Sequence, residues 1–99
     1  MRVLSRKTLR KFWEQPRYQD AEQPLKAWFR EAIKADWTNP AQIKAAYRSA
    51  SIVAANRVVF NIAGNKYRLV VHVNYRHRFV YVRFIGTHRE YDQINVIEV

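Results

Sequence analysis

Cysteine is absent from these 99 residues, which removes disulfides, Cys-based zinc sites and thiol catalysis from consideration. A reducing cytoplasm suits such a chain. Glycine occurs twice and proline three times, so little of the chain is linker and no Gly-rich phosphate loop can be built. No apolar run approaches the roughly 18 residues that a membrane span needs. Met1–Leu4 is basic but is not followed by an apolar stretch, so no signal peptide is expected. No internal repeat or low-complexity segment is present. Most informative is a missing charge. Between Asp36 and Glu90 there is no acidic residue in 53 positions, and those positions hold nine Lys or Arg and all three His.

What is there fits one compact domain over residues 1–99. Apolar residues make up 48% of the chain, enough for a packed core. Eighteen Lys and Arg against eight Asp and Glu give a formal charge of +10. Such a field favours polyanions, and a long acid-free stretch of strand-like sequence points to a surface that meets phosphates.

Ser5 reads as the N-cap of a short amphipathic helix that follows a brief extended piece. Leu9, Phe12 and Trp13 form its apolar side, and Arg6, Lys7, Arg10 and Lys11 its solvated side. "QPRYQDAEQP" reads as a loop, with Asp20 or Gln23 opening the next helix. There Leu25, Trp28, Phe29, Ala32 and Ile33 recur at i, i+3, i+4, i+7 and i+8, the stripe of a core-facing helix. Asn39 and Pro40 signal another N-cap and first turn, and "RSASIVAAN" reads as a loop.

From Arg57 the period changes to two. "RVVFNIAGNKYRLVVHVNY" reads as a hairpin about Gly64-Asn65. Ile62 then pairs with Tyr67, Asn61 with Arg68, Phe60 with Leu69, Val58 with Val71, and Arg57 with His72. One face is apolar, and the other carries Arg57, Asn61, Arg68 and His72; a one-residue slip would mix them. A second turn at His77-Arg78 would pair Tyr75 with Val80, Val73 with Val82 and Val71 with Phe84 on the core face. On the other face it would pair Asn74 with Tyr81 and His72 with Arg83. The expected fold is α+β: N-terminal helices on one face of an antiparallel β-meander, the polar face open, and "GTHREYD" emerging at the sheet's edge.

Arg57, Arg68 and Arg83, flanked by Lys66 and with Asn61 positioning, form a face suited to phosphate. His88 and Tyr91 lie just beyond it. RNA cleavage without a metal needs a base for the 2′-hydroxyl proton, an acid for the leaving 5′-oxygen and cations on the phosphate. His serves either proton role near neutral pH, and Tyr can act as acid or stack on a base. A two-metal nuclease needs clustered carboxylates, and this stretch offers only Glu90 and Asp92. No metal or other cofactor is expected. His72, in mid-strand, reads as a structural hydrogen-bonding residue.

These segments carry a resemblance. "RVVFNIAGNKYRLVVHVNY" followed by "VYVRFIGTHREYDQI", with "LKAWFREAIKADW" before them, resembles the HigB-type toxins of bacterial toxin–antitoxin systems, within the RelE-like superfamily. The order and spacing of the segments, over nearly the whole chain, carry the likeness. It implies a small α+β toxin that cleaves mRNA without metal, typically on the ribosome. It implies a HigA-like helix-turn-helix antitoxin, with operator DNA bound only through the antitoxin complex. It also implies that Arg68 of "YRLV" holds phosphate, and that the catalytic groups map onto His88 and Tyr91. Many RelE-like relatives carry lysines on the strand before "YRLV"; here Asn61 stands on that face and the nearest lysine is Lys66.

Two other classes compete. A non-catalytic RNA-binding module would need the same basic face without the proton-transfer groups. A DNA-binding regulator would need a helix-turn-helix pattern, which the sequence lacks.

Overall fold

A computed structural model describes all residues, 1–99. In chain order the elements are β1 (Arg2–Leu4), α1 (Arg6–Trp13), a 3₁₀ segment (Pro16–Ala21), α2 (Glu22–Lys34), α3 (Pro40–Ala46), β2 (Ser51–Val53), β3 (Arg57–Ile62), β4 (Tyr67–Asn74), β5 (Phe79–Thr87) and α4 (His88–Tyr91). The fold is α+β, as expected. The sheet runs β1-β5-β4-β3-β2. Strands β2 to β5 form an antiparallel meander, and β1 adds to β5 in parallel, so the sheet is mixed rather than a pure meander.

The first hairpin has the register that alternation dictates, from Arg57 opposite His72 to Ile62 opposite Tyr67. Ala63 at φ 55° and Gly64 at φ 68° are both left-handed in the turn, and the Lys66 N–H donates to the Ala63 carbonyl at 3.3 Å. Helices α1 to α3 bury Leu9, Phe12, Leu25, Trp28, Ala32 and Ile43 against the apolar face of Val58, Phe60, Ile62, Leu69, Val71, Val73, Val80 and Val82. Phe60 sits among three rings, with Trp28 at 5.4 Å, Tyr47 at 5.0 Å and Trp37 at 6.3 Å between centroids.

The second hairpin departs from expectation. Val73 pairs with Val80, Asn74 with Phe79 and His72 with Tyr81, so the loop is Tyr75–Arg78, not a tight turn at His77-Arg78. The cause is side-chain chemistry. The Asn74 carboxamide accepts from the His77 N–H at 2.9 Å, Arg78 adopts φ 61°, and its guanidinium is held by the Tyr75 carbonyl and Asp36. The shift is two residues, so Val80 and Val82 keep the core face. A β-bulge between Val70 and Val71 then changes the phase: Val71 faces Val82 while Val70 faces Phe84, leaving Arg83 as the extra residue. Phe84 therefore joins Arg83 on the outer face, and Ile85, not Phe84, packs against the core.

Smaller corrections have similar causes. Ser5 sits at φ 70° and makes no side-chain cap. "QPRYQDAEQP" is largely 3₁₀ and packs Tyr18 on Phe12 at 4.4 Å. The next helix opens at Glu22, because the Asp20 carboxylate is taken by Lys66 and Tyr67. Ile33, counted in the apolar stripe, is 45% exposed. Asn39 is the expected cap, accepting from the Gln42 N–H at 3.1 Å. "RSASIVAAN" contains β2, three residues too short to show a period, turned into β3 through Ala55 and Asn56 in left-handed conformation.

Candidate nucleic-acid interface

The outer face of β3, β4 and β5 holds most of the residues singled out from the sequence. Its centre is apolar. Val59 and Val70 are 2% and 0% exposed yet lie outside the helix-side core. Helix α4 packs back on β4 and β5, and the Arg57 guanidinium donates to the Val99 carbonyl at 2.8 Å. The C-terminal segment thus lies across this face, which is only partly open. Strand β5 lies between β1 and β4, but β1 pairs only with Phe79–Tyr81, so the end of β5 that leads into "GTHREYD" has no strand on its β1 side.

Two polar groups stand at the two ends of this face. Arg68 and His72 point the same way from β4, four residues and about 13 Å apart. At the first end, Arg68 faces Gly86 across the β4–β5 ladder and Asn61 across β3. Its guanidinium rests on the Asn65 carbonyl at 3.0 Å and has no carboxylate partner. Thr87 then caps α4. Its hydroxyl accepts from the Glu90 N–H at 3.1 Å, and the Glu90 carboxylate accepts from the Thr87 N–H at 2.8 Å. That reciprocal cap uses two of the segment's polar residues for structure. A Cβ on Gly86 would come within 2.6 Å of the Phe84 ring and 3.0 Å of the Glu90 carboxylate, so a larger residue would disturb the cap.

His88 opens α4 and places its Nδ1 3.1 Å from the Asp92 carboxylate. With Nδ1 as the donor, Nε2 is the free atom for accepting or giving a proton. Asp92 was not singled out from the sequence as this orienting group; its i, i+4 spacing from His88 on one helical turn was the available signal. Tyr91 is half-buried on the same turn. Asn61 contacts the Ser49 carbonyl at 3.4 Å.

At the other end, Arg57, His72, Tyr81 and Arg83 gather. The His72 and Tyr81 rings are 5.9 Å apart, and the Arg83 guanidinium lies 5.5 Å from the Tyr81 centroid. Burial, then the charges of Arg57 and Arg83, hold His72 below its ordinary pKa, so the ring is neutral at pH 7. Its buried Nδ1 has no protein partner, which does not fit a structural hydrogen-bonding role for that atom. Arg83 therefore groups with Arg57 rather than with His88.

Lys66 stands apart. It is paired with Asp20, whose carboxyl is held below its ordinary range first by Lys66 and then by the Tyr67 hydroxyl at 2.5 Å. Burial and that carboxylate push Tyr67 up to about 12. No three His, Asp or Glu side chains converge as a metal-holding group.

A family model for HigB toxin, the RelE-like toxic component of a toxin–antitoxin system, matches residues 21–94, three-quarters of the sequence. The chain belongs to the HigB toxin family. The match covers α2 through α4 and every outer-face residue named above except Val99. No curated protein matches the chain. As a HigB toxin it has a toxic role, and an antitoxin as partner. None of its helices is long and apolar enough to cross a membrane.

Proposed function

We propose that this HigB toxin is an mRNA endoribonuclease that cuts ribosome-bound message in the cytoplasm without a metal ion and so arrests translation. The 2′-oxygen attacks the adjacent phosphorus, the P–O5′ bond breaks, and one proton passes from the 2′-hydroxyl to the leaving 5′-oxygen through the protein. Arg68 binds the phosphate. His88 Nε2 and the Tyr91 hydroxyl are the proton-transfer pair, with Asp92 orienting the imidazole. Arg83 and Arg57, with Asn61, receive the flanking strand, and Lys66 contributes only where RNA displaces Asp20. The antitoxin is HigA-like with a helix-turn-helix domain, and operator DNA is bound only through that complex.

One observation supports this reading above the others. The β4–β5 register sets a guanidinium with no carboxylate partner opposite Gly86, and α4 begins two residues later with an imidazole already hydrogen-bonded to a carboxylate. Cation, base and acid types thus lie within one strand end and one helical turn.

The test is induction of the toxin alone in bacteria, with primer extension on a translated message. Parent toxin arrests growth, co-induced antitoxin restores it, and cuts map within the reading frame. His88→Gln lowers cleavage about 10²-fold or more while ribosome binding and circular dichroism stay near parent. Tyr91→Phe separates hydroxyl from ring: a large loss assigns the acid role, and near-parent cleavage assigns stacking. Cleavage at parent rate by both variants would leave an RNA-binding module that blocks translation without cutting.

A further inference from the structure

The outer face of the sheet does not account for the charge on the other side of the molecule. Helices α1 and α2 leave between them a cleft of about 580 Å³ lined by Arg6, Lys7, Arg10 and Trp13 from α1, and by Glu22 and Lys26 from α2, with Glu14 at its end. A smaller cleft beside it adds Leu9, Phe29 and Arg30. Both helices pack on the core face of the sheet, so this surface looks away from Arg68 and His88.

We propose that the α1–α2 cleft is a second phosphate-binding site, taking the backbone of structured RNA that is held and not cut. Three features carry this. First, the protein has ion pairs only at Lys26–Glu22, Lys66–Asp20, Arg78–Asp36 and His88–Asp92. Arg6, Lys7, Arg10 and Arg30 are exposed and have no carboxylate partner. Second, Arg6 and Lys7 stand in the first turn of α1, where the helix dipole disfavours cations and where no acidic residue offsets them. Helix stability therefore does not explain their position. Third, Arg6 to Arg10 and Lys26 to Arg30 are each spaced four residues apart. Each pair makes a row about 6 Å long on its helix, and the two rows flank the cleft. Such rows can follow a phosphate backbone.

The cleft's chemistry favours nucleic acid over an acidic protein helix. Only Trp13 in the larger cleft is hydrophobic, and the smaller one adds Phe29 and Leu9, the latter 1% exposed, so little apolar floor is open to seat an amphipathic helix. The rings of Trp13 and Phe29 are already covered by cations, Lys26 at 5.5 Å and Arg6 at 4.6 Å. These contacts hold the charged ends at the surface above an apolar support. The α1 half of the site also precedes residue 21, outside the segment that matches the family model.

The proposal takes RNA as the ligand class from the reading above but does not require cleavage. The probe is a short 2′-O-methylated RNA hairpin, which cannot be cut by 2′-hydroxyl attack. Fluorescence anisotropy of the full chain is followed across salt concentrations. The triple variant Arg6→Gln, Arg10→Gln, Arg30→Gln should bind the hairpin at least tenfold more weakly at physiological salt. Its log–log salt slope should fall by roughly two to three, near one for each phosphate that is no longer neutralised. Arg68→Ala should weaken binding independently, and the combined variant should show both increments. The charge-reversed triple variant, with Glu at the same positions, should be weaker still. An unchanged affinity and slope in the Gln variant overturns the proposal. So does a variant that binds the hairpin like the parent but no longer binds the antitoxin, which would assign the cleft to protein. If no variant or parent cleaves message yet the cleft variant fails to hold the hairpin, the nuclease reading fails and this one stands.

Discussion

The two faces of the β3–β4–β5 sheet are made by alternate residues of the same strands and do opposite work. On the helix side nearly every position is an apolar residue in the core. On the outer side only the side chains of Val59 and Val70 are fully buried, and the cations stand to either side of them. Removing a charge from the outer face should therefore cost little stability, and removing a ring from the inner face should cost a great deal. The difference explains how so basic a chain holds a fold: the charges have been kept off the surface that the helices cover.

Phe60→Ala should give the largest effect. The ring is 1% exposed among three aromatic neighbours, and a loss of about 3–5 kcal/mol is expected, read as a drop in the urea midpoint. Val70→Ala tests the apolar centre of the outer face. It should cost roughly 1.5–3 kcal/mol, because the side chain is fully buried on the face that the C-terminal segment crosses. A near-zero cost would mean that this covering is loose and that the two faces differ more than their burial suggests.

The smallest effect concerns pH. His72 has its pKa lowered in the folded state by burial, Arg57 and Arg83. The unfolded chain therefore takes up the proton first as pH falls below about 6.5. Stability should decline from there until the folded pKa is passed, and then level off. The urea midpoint should be lower at pH 5 than at pH 7.5, and His72→Gln should flatten that slope. A slope unchanged in His72→Gln would show that the Arg57–Arg83 end of the outer face is more open than its geometry indicates.

Much of the fold is legible in the residues themselves. The first hairpin follows from strict alternation about Gly64-Asn65, because a one-residue slip would mix the faces and put either Arg57 and Asn61 or Arg68 and His72 on the core side. Asn39–Pro40 declares a helix start through local hydrogen bonding alone. The candidate site is legible in type but not in grouping. Arg68, His88 and Tyr91 lie where one strand end and one helical turn meet, whereas Lys66 was taken by Asp20, a residue 46 positions away in sequence. The bulge at Arg83, the parallel pairing of β1 with β5 and the passage of Val99 to Arg57 left no local mark.

Alternation, capping and composition are set by neighbours within a few residues, and they already specify an α+β domain with one apolar and one basic sheet face. Which cations remain free and which histidine is neutral depend on partners distant in the chain, and on strand phase after the bulge. Packing settled them by bringing Asp20 to Lys66, Arg57 and Arg83 to His72, and the C-terminal segment to Arg57. The physical reason is range: backbone preferences act locally, whereas desolvation and charge pairing act between whatever surfaces packing brings together.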